Sequence, residues 1–265
     1  MQKNKGKYEE NKMNKLFKLS CAAVMAAAMV GCGASESEEN TIMIGVSPDY
    51  APYESIDSKS KEMVGFDIDM VEWFEEYLTE EEGVTYNLEF KQMSFDNIIT
   101  QVQGDQIDLG ISGFSYDEDR KVEWSDPYLG SSQVAVVPSN STIATLDDLA
   151  GKKIGVQTGS TGEAAANEIE NAEVAGLKAV TDLMAGLAAN QFDVVVIDLG
   201  VAQNYVENGD FKLVDGVLAD EKNYIIAKDG NEEIIEKINK AIEAFVASDD
   251  YQKLCEDYGL TPLTK

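Results

Sequence analysis

The stretch "FDVVVIDLGVA", residues 192–202, runs four β-branched apolar residues together between two aspartates and then turns to small residues. An apolar run without polar alternation reads as a strand buried on both faces, the form that strands take in parallel sheets covered by helices. The segment "LGVAQNYV" that follows reads as a helix. Asp193 is an ordinary residue at a strand start. Asp198 is different, because a carboxylate at the end of a buried strand is costly unless a cation meets it. Ligands of parallel sheets bind outside the carboxyl ends of strands. The competing reading makes Asp198 the cap of the helix it precedes.

The same alternation extends in both directions. "TIMIGVS" reads as a buried strand, and "GFDIDMVEWFEEYL" places Ile68, Val71, Phe74 and Leu78 at helical spacing after Asp67 as cap. "TYNLEFKQM" alternates like a strand, "SFDNIITQVQG" is a helix from Ser94 to a stop at Gly104, and "IDLGISGF" is a strand. A second set follows: "TLDDLAG", a short helix from Thr145; "KKIGVQTG", a strand; "STGEAAANEIENA" and "TDLMAGLAANQ", helices. "NYIIAKDG" is a last strand, and "NEEIIEKINKAIEAFVAS" and "DDYQKLCEDYG" are closing helices. Strands alternating with helices predict an α/β protein with mainly parallel sheets and helices on both faces. Two such sets predict two lobes with a cleft between them.

Composition narrows the chemistry. The chain has 265 residues, 44% of them hydrophobic, and a formal charge of −28, which repels nucleic acid and anionic membrane surfaces. It has no histidine, so the usual general base and the Ser/His and Cys/His nucleophile pairs are missing. No Cys/His cluster offers a zinc site, the acidic runs lack EF-hand spacing, and no Gly-Lys-Ser/Thr follows "GSTG". No catalytic residue, metal or organic cofactor is expected. Cys255, on the apolar side of a late helix, reads as packing.

Arg120, in "SYDEDRK" (115–121), is the sole arginine. A guanidinium offers a planar fork of donors matched to a carboxylate, which lysine does not. A surface pair with Asp117, Glu118 or Asp119 would also account for it.

The start of the chain has the anatomy of a secretory signal, with lysines, an apolar run from Leu19 to Val30, and Gly31 before Cys32. Residues 1–31 are read as that signal, with translation expected to begin at Met13. "MVGC" resembles a bacterial lipobox, with Cys32 lipidated, and residues 32–40 form a polar tether.

In order along the chain, "SPDYAPYE" (47–54), "VGFDIDM" (64–70), "GDQIDLGISGFSYDEDRKVEWSDPYL" (104–129), "GKKIGVQTGSTGEA" (151–164) and "FDVVVIDLGVA" (192–202) resemble the amino-acid-binding proteins of bacterial ABC importers, solute-binding family 3. The resemblance runs from residue 41 to the end. It implies a two-lobed periplasmic-binding-protein type II fold with two interlobe crossings, lobe 1 being 41–132 plus 225–265 and lobe 2 being 133–224.

It also implies roles. Arg120 binds the ligand's α-carboxylate, with Ser115 and Gly113 on the same strand-to-helix turn and Thr161 from the other lobe, where Thr161 could equally be a helix cap. Asp198 and Ser112 receive the α-ammonium. Tyr50 and Phe95 enclose the side chain, with Tyr53 and Glu54 as rim and scaffold. Ser47 stands where binders of basic amino acids and glutamine commonly carry aspartate, and Gln157 points at the ligand side chain, which together imply a neutral, polar amino acid. The implied protein is an extracytoplasmic lipoprotein that acts as a monomer, is held to the membrane by lipid alone, and delivers its amino acid to a permease. An enzyme on the same fold, dehydratase-like, and a sensory binding domain are the other classes.

Overall fold

The computed structural model describes residues 40–263. The signal, lipidation and tether readings fall outside the described residues, except that the first strand already starts at Asn40. No helix among the described residues is long and apolar enough to cross a membrane.

In chain order the elements are β1 (Asn40–Val46), β2 (Asp49–Tyr50), β3 (Glu54–Ile56), β4 (Met63–Val64), α1 (Phe66–Glu82), β5 (Tyr86–Gln92), α2 (Phe95–Gln103), β6 (Leu109–Ser115), β7 (Val122–Trp124) and β8 (Leu129–Pro138). After a 3-10 turn at Leu146–Leu149 come β9 (Lys153–Gln157), α3 (Thr161–Asn167), β10 (Glu173–Leu177), α4 (Val180–Ala188), β11 (Val194–Asp198), α5 (Leu199–Asn208), β12 (Phe211–Leu213), β13 (Ala219–Lys228), α6 (Glu232–Val246) and α7 (Asp249–Tyr258).

The main sheet runs β10-β9-β11-β8-β13-β6-β1-β5. Parallel pairs build its two ends, β1 with β5 and β6 at one and β9 with β10 and β11 at the other. The two ten-residue strands β8 and β13 join them. Leu129–Gln133 pairs antiparallel with Ala219–Asn223, after which β8 continues along β11 and β13 continues along β6. These are the two crossings of a two-lobed α/β fold. Each end has its own apolar cluster, around Phe95, Ile98 and Phe114 on one side and Ile154, Val156 and Val194 on the other.

Cys255 is buried among apolar neighbours, as its helical position predicts. Asp67 is not the cap of α1. The helix begins after Gly65, whose backbone approaches Tyr53 so closely that a Cβ would lie 2.1 Å from the Tyr53 carbonyl oxygen. That approach puts Asp67 inside the first turn, fully buried, where it accepts from the Tyr128 hydroxyl at 3.1 Å.

Candidate functional site

Where β6 ends, the backbone turns through Gly113, at φ +59°, with the Tyr50 ring against it: a Cβ here would stand 3.0 Å from Tyr50 Cε1. Ser115 follows, and the next turn swings Arg120 back over the strand end. The guanidinium donates from Nη1 to the Ser115 carbonyl at 3.1 Å and from Nη2 to the Gly159 carbonyl at 2.8 Å, the latter across the cleft. Nε lies 3.4 Å from the Asp117 carboxylate, so the surface-pair reading holds for that one nitrogen. The side chain is only 7% exposed, beside the Phe95 and Phe114 rings, which stack on each other at 4.6 Å. Burial pulls its pKa below the usual arginine value, with Asp117 and Glu221 opposing.

Asp198 ends β11 and stands at the N-cap position of α5, yet its side chain makes no capping hydrogen bond. The carboxylate turns instead to hydroxyls and an amide. Tyr50 Oη donates to Oδ2 at 3.1 Å, Tyr53 Oη to Oδ1 at 3.4 Å, Gln133 Nε2 to Oδ2 at 3.3 Å, and Ser131 Oγ to Oδ1. Asp198 is 1% exposed, and burial pushes its pKa from 3.8 to about 7, against the pull of those hydroxyls. Neutral donors thus hold a carboxylate that no lysine or arginine pairs with among the described residues.

Thr161 is the first residue of α3; the cap is Ser160, whose hydroxyl accepts from the Glu163 N–H at 3.1 Å. Thr161 Oγ1 is therefore free of capping and donates to Glu221 Oε2 at 3.0 Å. The same oxygen accepts from Ser115 Oγ at 2.7 Å and from Gln133 Nε2 at 3.0 Å. Ser112 donates its hydroxyl to Glu54. Behind it Glu54 and Asp67 form a buried carboxyl pair, with burial raising Glu54 well above its usual range and Asp67 to about 7. Tyr53 and Glu54 are both wholly buried, so Tyr53 is not rim: its hydroxyl helps to hold Asp198.

Ser47 and Gln157 are both buried. Ser47 Oγ donates to Asp49 Oδ1 at 2.9 Å, and Gln157 Nε2 donates to the Lys178 carbonyl at 3.3 Å. Two interlobe contacts lie beside them: the Val180 N–H donates to Asp49 Oδ2 at 2.6 Å, and Lys178 Nζ meets Asp96 at 2.7 Å. Of the predicted contact residues, Tyr50 is hydrogen-bonded to Asp198, Ser115 and Thr161 meet through Glu221, and Phe95 lies beside Arg120. Three further members of the site, Ser131, Gln133 and Glu221, carry no expectation from the sequence, and Tyr53, expected at the rim, joins through its hydroxyl.

The arrangement has a buried cationic end at Arg120 and a buried anionic end at Asp198, linked by hydroxyls, the Gln133 amide and the Glu221 carboxylate. It suits a small zwitterion. The model of the bacterial extracellular solute-binding proteins, family 3, matches residues 42–261. The arginine-binding extracellular protein ArtP of Bacillus subtilis is 30% identical over 255 residues, which span 91% of this chain and 96% of that protein. The substrate-binding protein of an amino acid ABC transporter superposes with a TM-score of 0.74 at 31% identity, covering 83% of this chain and 99% of its own. An ancestral arginine-binding protein, solved with arginine and again with glutamine, is 34% identical, with TM-scores of 0.74 and 0.73 over 83% of this chain and 98% of its own.

Proposed function

The chain belongs to the bacterial extracellular solute-binding proteins, family 3, and we propose that it captures an α-amino acid between its lobes and delivers it to the permease of an ABC importer. The observation that carries this reading is the pair of buried, oppositely charged ends, Asp198 held by neutral donors and Arg120 by two backbone carbonyls with Asp117 at its third nitrogen. The α-carboxylate goes to Arg120 with Ser115, Gly113 and Thr161. The α-ammonium goes to Asp198 and the Ser112 backbone. The side chain lies between Tyr50 and Phe95, toward Ser47 and Gln157. Lobe 1 is taken as 41–132 plus 225–265 and lobe 2 as 133–224; near these bounds β8 changes neighbour at Gln133 and β13 at Asn223. Closure follows from a ligand whose two ends bond both lobes at once. The protein works as a monomer outside the cytoplasm, anchored by lipid on Cys32.

The side chain bound is neutral and polar. Both oxygens of Asp49 are already engaged, by Ser47 and Val180, and Asp96 is paired with Lys178, so the acids near Gln157 have partners of their own. A cationic side chain is the second reading, favoured by the arginine-binding relatives. A thermal-shift screen against the twenty amino acids and cystine separates them. A ligand at about 100 times its dissociation constant adds roughly 2.7 kcal/mol of stability. Glutamine-like ligands giving the largest shift support the first reading and arginine the second; no shift from any amino acid removes both.

A further inference from the structure

Glu221 is a carboxylate placed where the proposed reading puts a ligand's carboxylate. Its Oε2 accepts from Ser115 Oγ at 2.7 Å, from Thr161 Oγ1 at 3.0 Å and from Gln133 Nε2 at 3.0 Å. It also lies within the electrostatic reach of Arg120. Ser115 belongs to β6 and Thr161 to α3, so one oxygen ties together elements on opposite sides of the cleft. We propose that Glu221 is a built-in occupant of the carboxylate cradle, which latches the lobes together and must be displaced before an amino acid can bind.

This rests on the reading of Ser115, Thr161 and Arg120 as carboxylate donors. Three features support it. A hydroxyl hydrogen can point at only one acceptor, so Ser115 and Thr161 cannot serve Glu221 and a ligand carboxylate together. Glu221 sits on a crossing strand opposite Ser131, fixed to the cradle by its own backbone, so it competes at a high effective concentration. It also has somewhere to go. A cavity of about 240 Å³ is lined by Glu221 together with Ser131, Ser132 and Gln203, and this gives the displaced carboxylate space. A competitor of this kind lowers apparent affinity by the fraction of molecules in which the cradle is taken.

The test compares the wild type with Glu221→Ala and Glu221→Gln. Calorimetry with L-glutamine and L-arginine should show Glu221→Ala binding about tenfold tighter or more, with Glu221→Gln between it and the wild type. Without added amino acid, Glu221→Ala should have a larger radius of gyration by small-angle scattering, because the tie between Ser115 and Thr161 is gone. Weaker or unchanged binding in both variants would overturn the proposal and make Glu221 a ligand contact or a bystander. An unchanged radius of gyration would overturn the latch whatever binds. Expansion of the variant with no amino acid bound by any form supports the latch and counts against the amino-acid reading instead. Should Glu221→Ala fail to fold, the isosteric Glu221→Gln carries both measurements.

Discussion

Arg120 and Asp198 are both buried charges without a full counter-charge, but they are held in opposite ways. The arginine aims two of its three nitrogens at backbone carbonyls, which cannot change protonation, and stays cationic. The aspartate rests on three hydroxyls and an amide, and burial lifts its pKa to about 7, so its charge depends on conditions. One end of the site is a permanent cation and the other is an anion made firm only when a cation arrives. An α-amino acid supplies the missing charge at both ends.

The largest expected effect breaks the permanent end. Arg120→Lys replaces a fork of donors by a point charge. Truncating one partner of a buried charge pair costs about 2–5 kcal/mol, so affinity by calorimetry should fall by about 30-fold to several thousand-fold. Unchanged affinity would return Arg120 to its pairing with Asp117. At the conditional end, Asp198→Asn should weaken binding by roughly tenfold to hundredfold, as expected when a charged hydrogen bond of about 1.5–3 kcal/mol is lost. It should also raise the thermal midpoint at pH 8, because the wild type must then keep an unpaired carboxylate buried. The two variants therefore separate affinity from stability.

The pH dependence sharpens the same contrast. The folded pKa values of Asp198 and Asp67, both about 7, lie above the unfolded value near 3.8, so the folded state binds more protons between those limits. Stability is then greatest toward pH 4 to 5 and falls as pH rises through 7, at up to about 1.4 kcal/mol per pH unit for each group. Ligand affinity should run the other way. An ammonium needs the ionised Asp198, so affinity should rise from pH 5 to pH 7.5 by up to about tenfold per unit, with proton release. Titration calorimetry in buffers of different ionisation enthalpy reads both quantities; flat affinity would mean the ammonium does not meet Asp198.

These two ends were legible in the sequence for physical reasons. A lone arginine stands out by residue type, and an aspartate closing an apolar run stands out by cost. Ser131, Gln133 and Glu221 had no such signal. They lie in "GSSQ" and "DEKN", the polar halves of β8 and β13 where the strands cross between lobes; Ser131 and Glu221 are half-buried there and Gln133 is buried. Apolar periodicity finds strands inside a core and passes over strands that form a hinge. For that reason β13 is legible only from Asn223 onward; the apolar run 134–137 of β8 is core strand, and nothing physical hides it. β10 escaped because it is the edge strand of the sheet and mostly half-exposed. Tyr53 looked like rim because its neighbours are polar, whereas its ring is enclosed and only its hydroxyl reaches the site.

The smallest expected effect concerns neither charged end but the closure that unites them. The N-cap residue of α4, Ala179, has no side chain able to cap, and Asp49 fills that role from the other side of the cleft by accepting from the Val180 N–H at 2.6 Å. When the lobes part, α4 loses this acceptor, so the cap favours the closed conformer alone. Replacing a good cap by alanine costs about 1 kcal/mol, so Asp49→Ala should weaken ligand binding by about fivefold. The loss should lie mainly in the dissociation rate, because the cap acts after the encounter. Asp49→Asn, which keeps an acceptor oxygen, should recover most of it. Stopped-flow fluorescence of the wild type and both variants makes the comparison. A fivefold loss in the association rate instead would show that Asp49 guides the ligand in rather than holding the lobes shut.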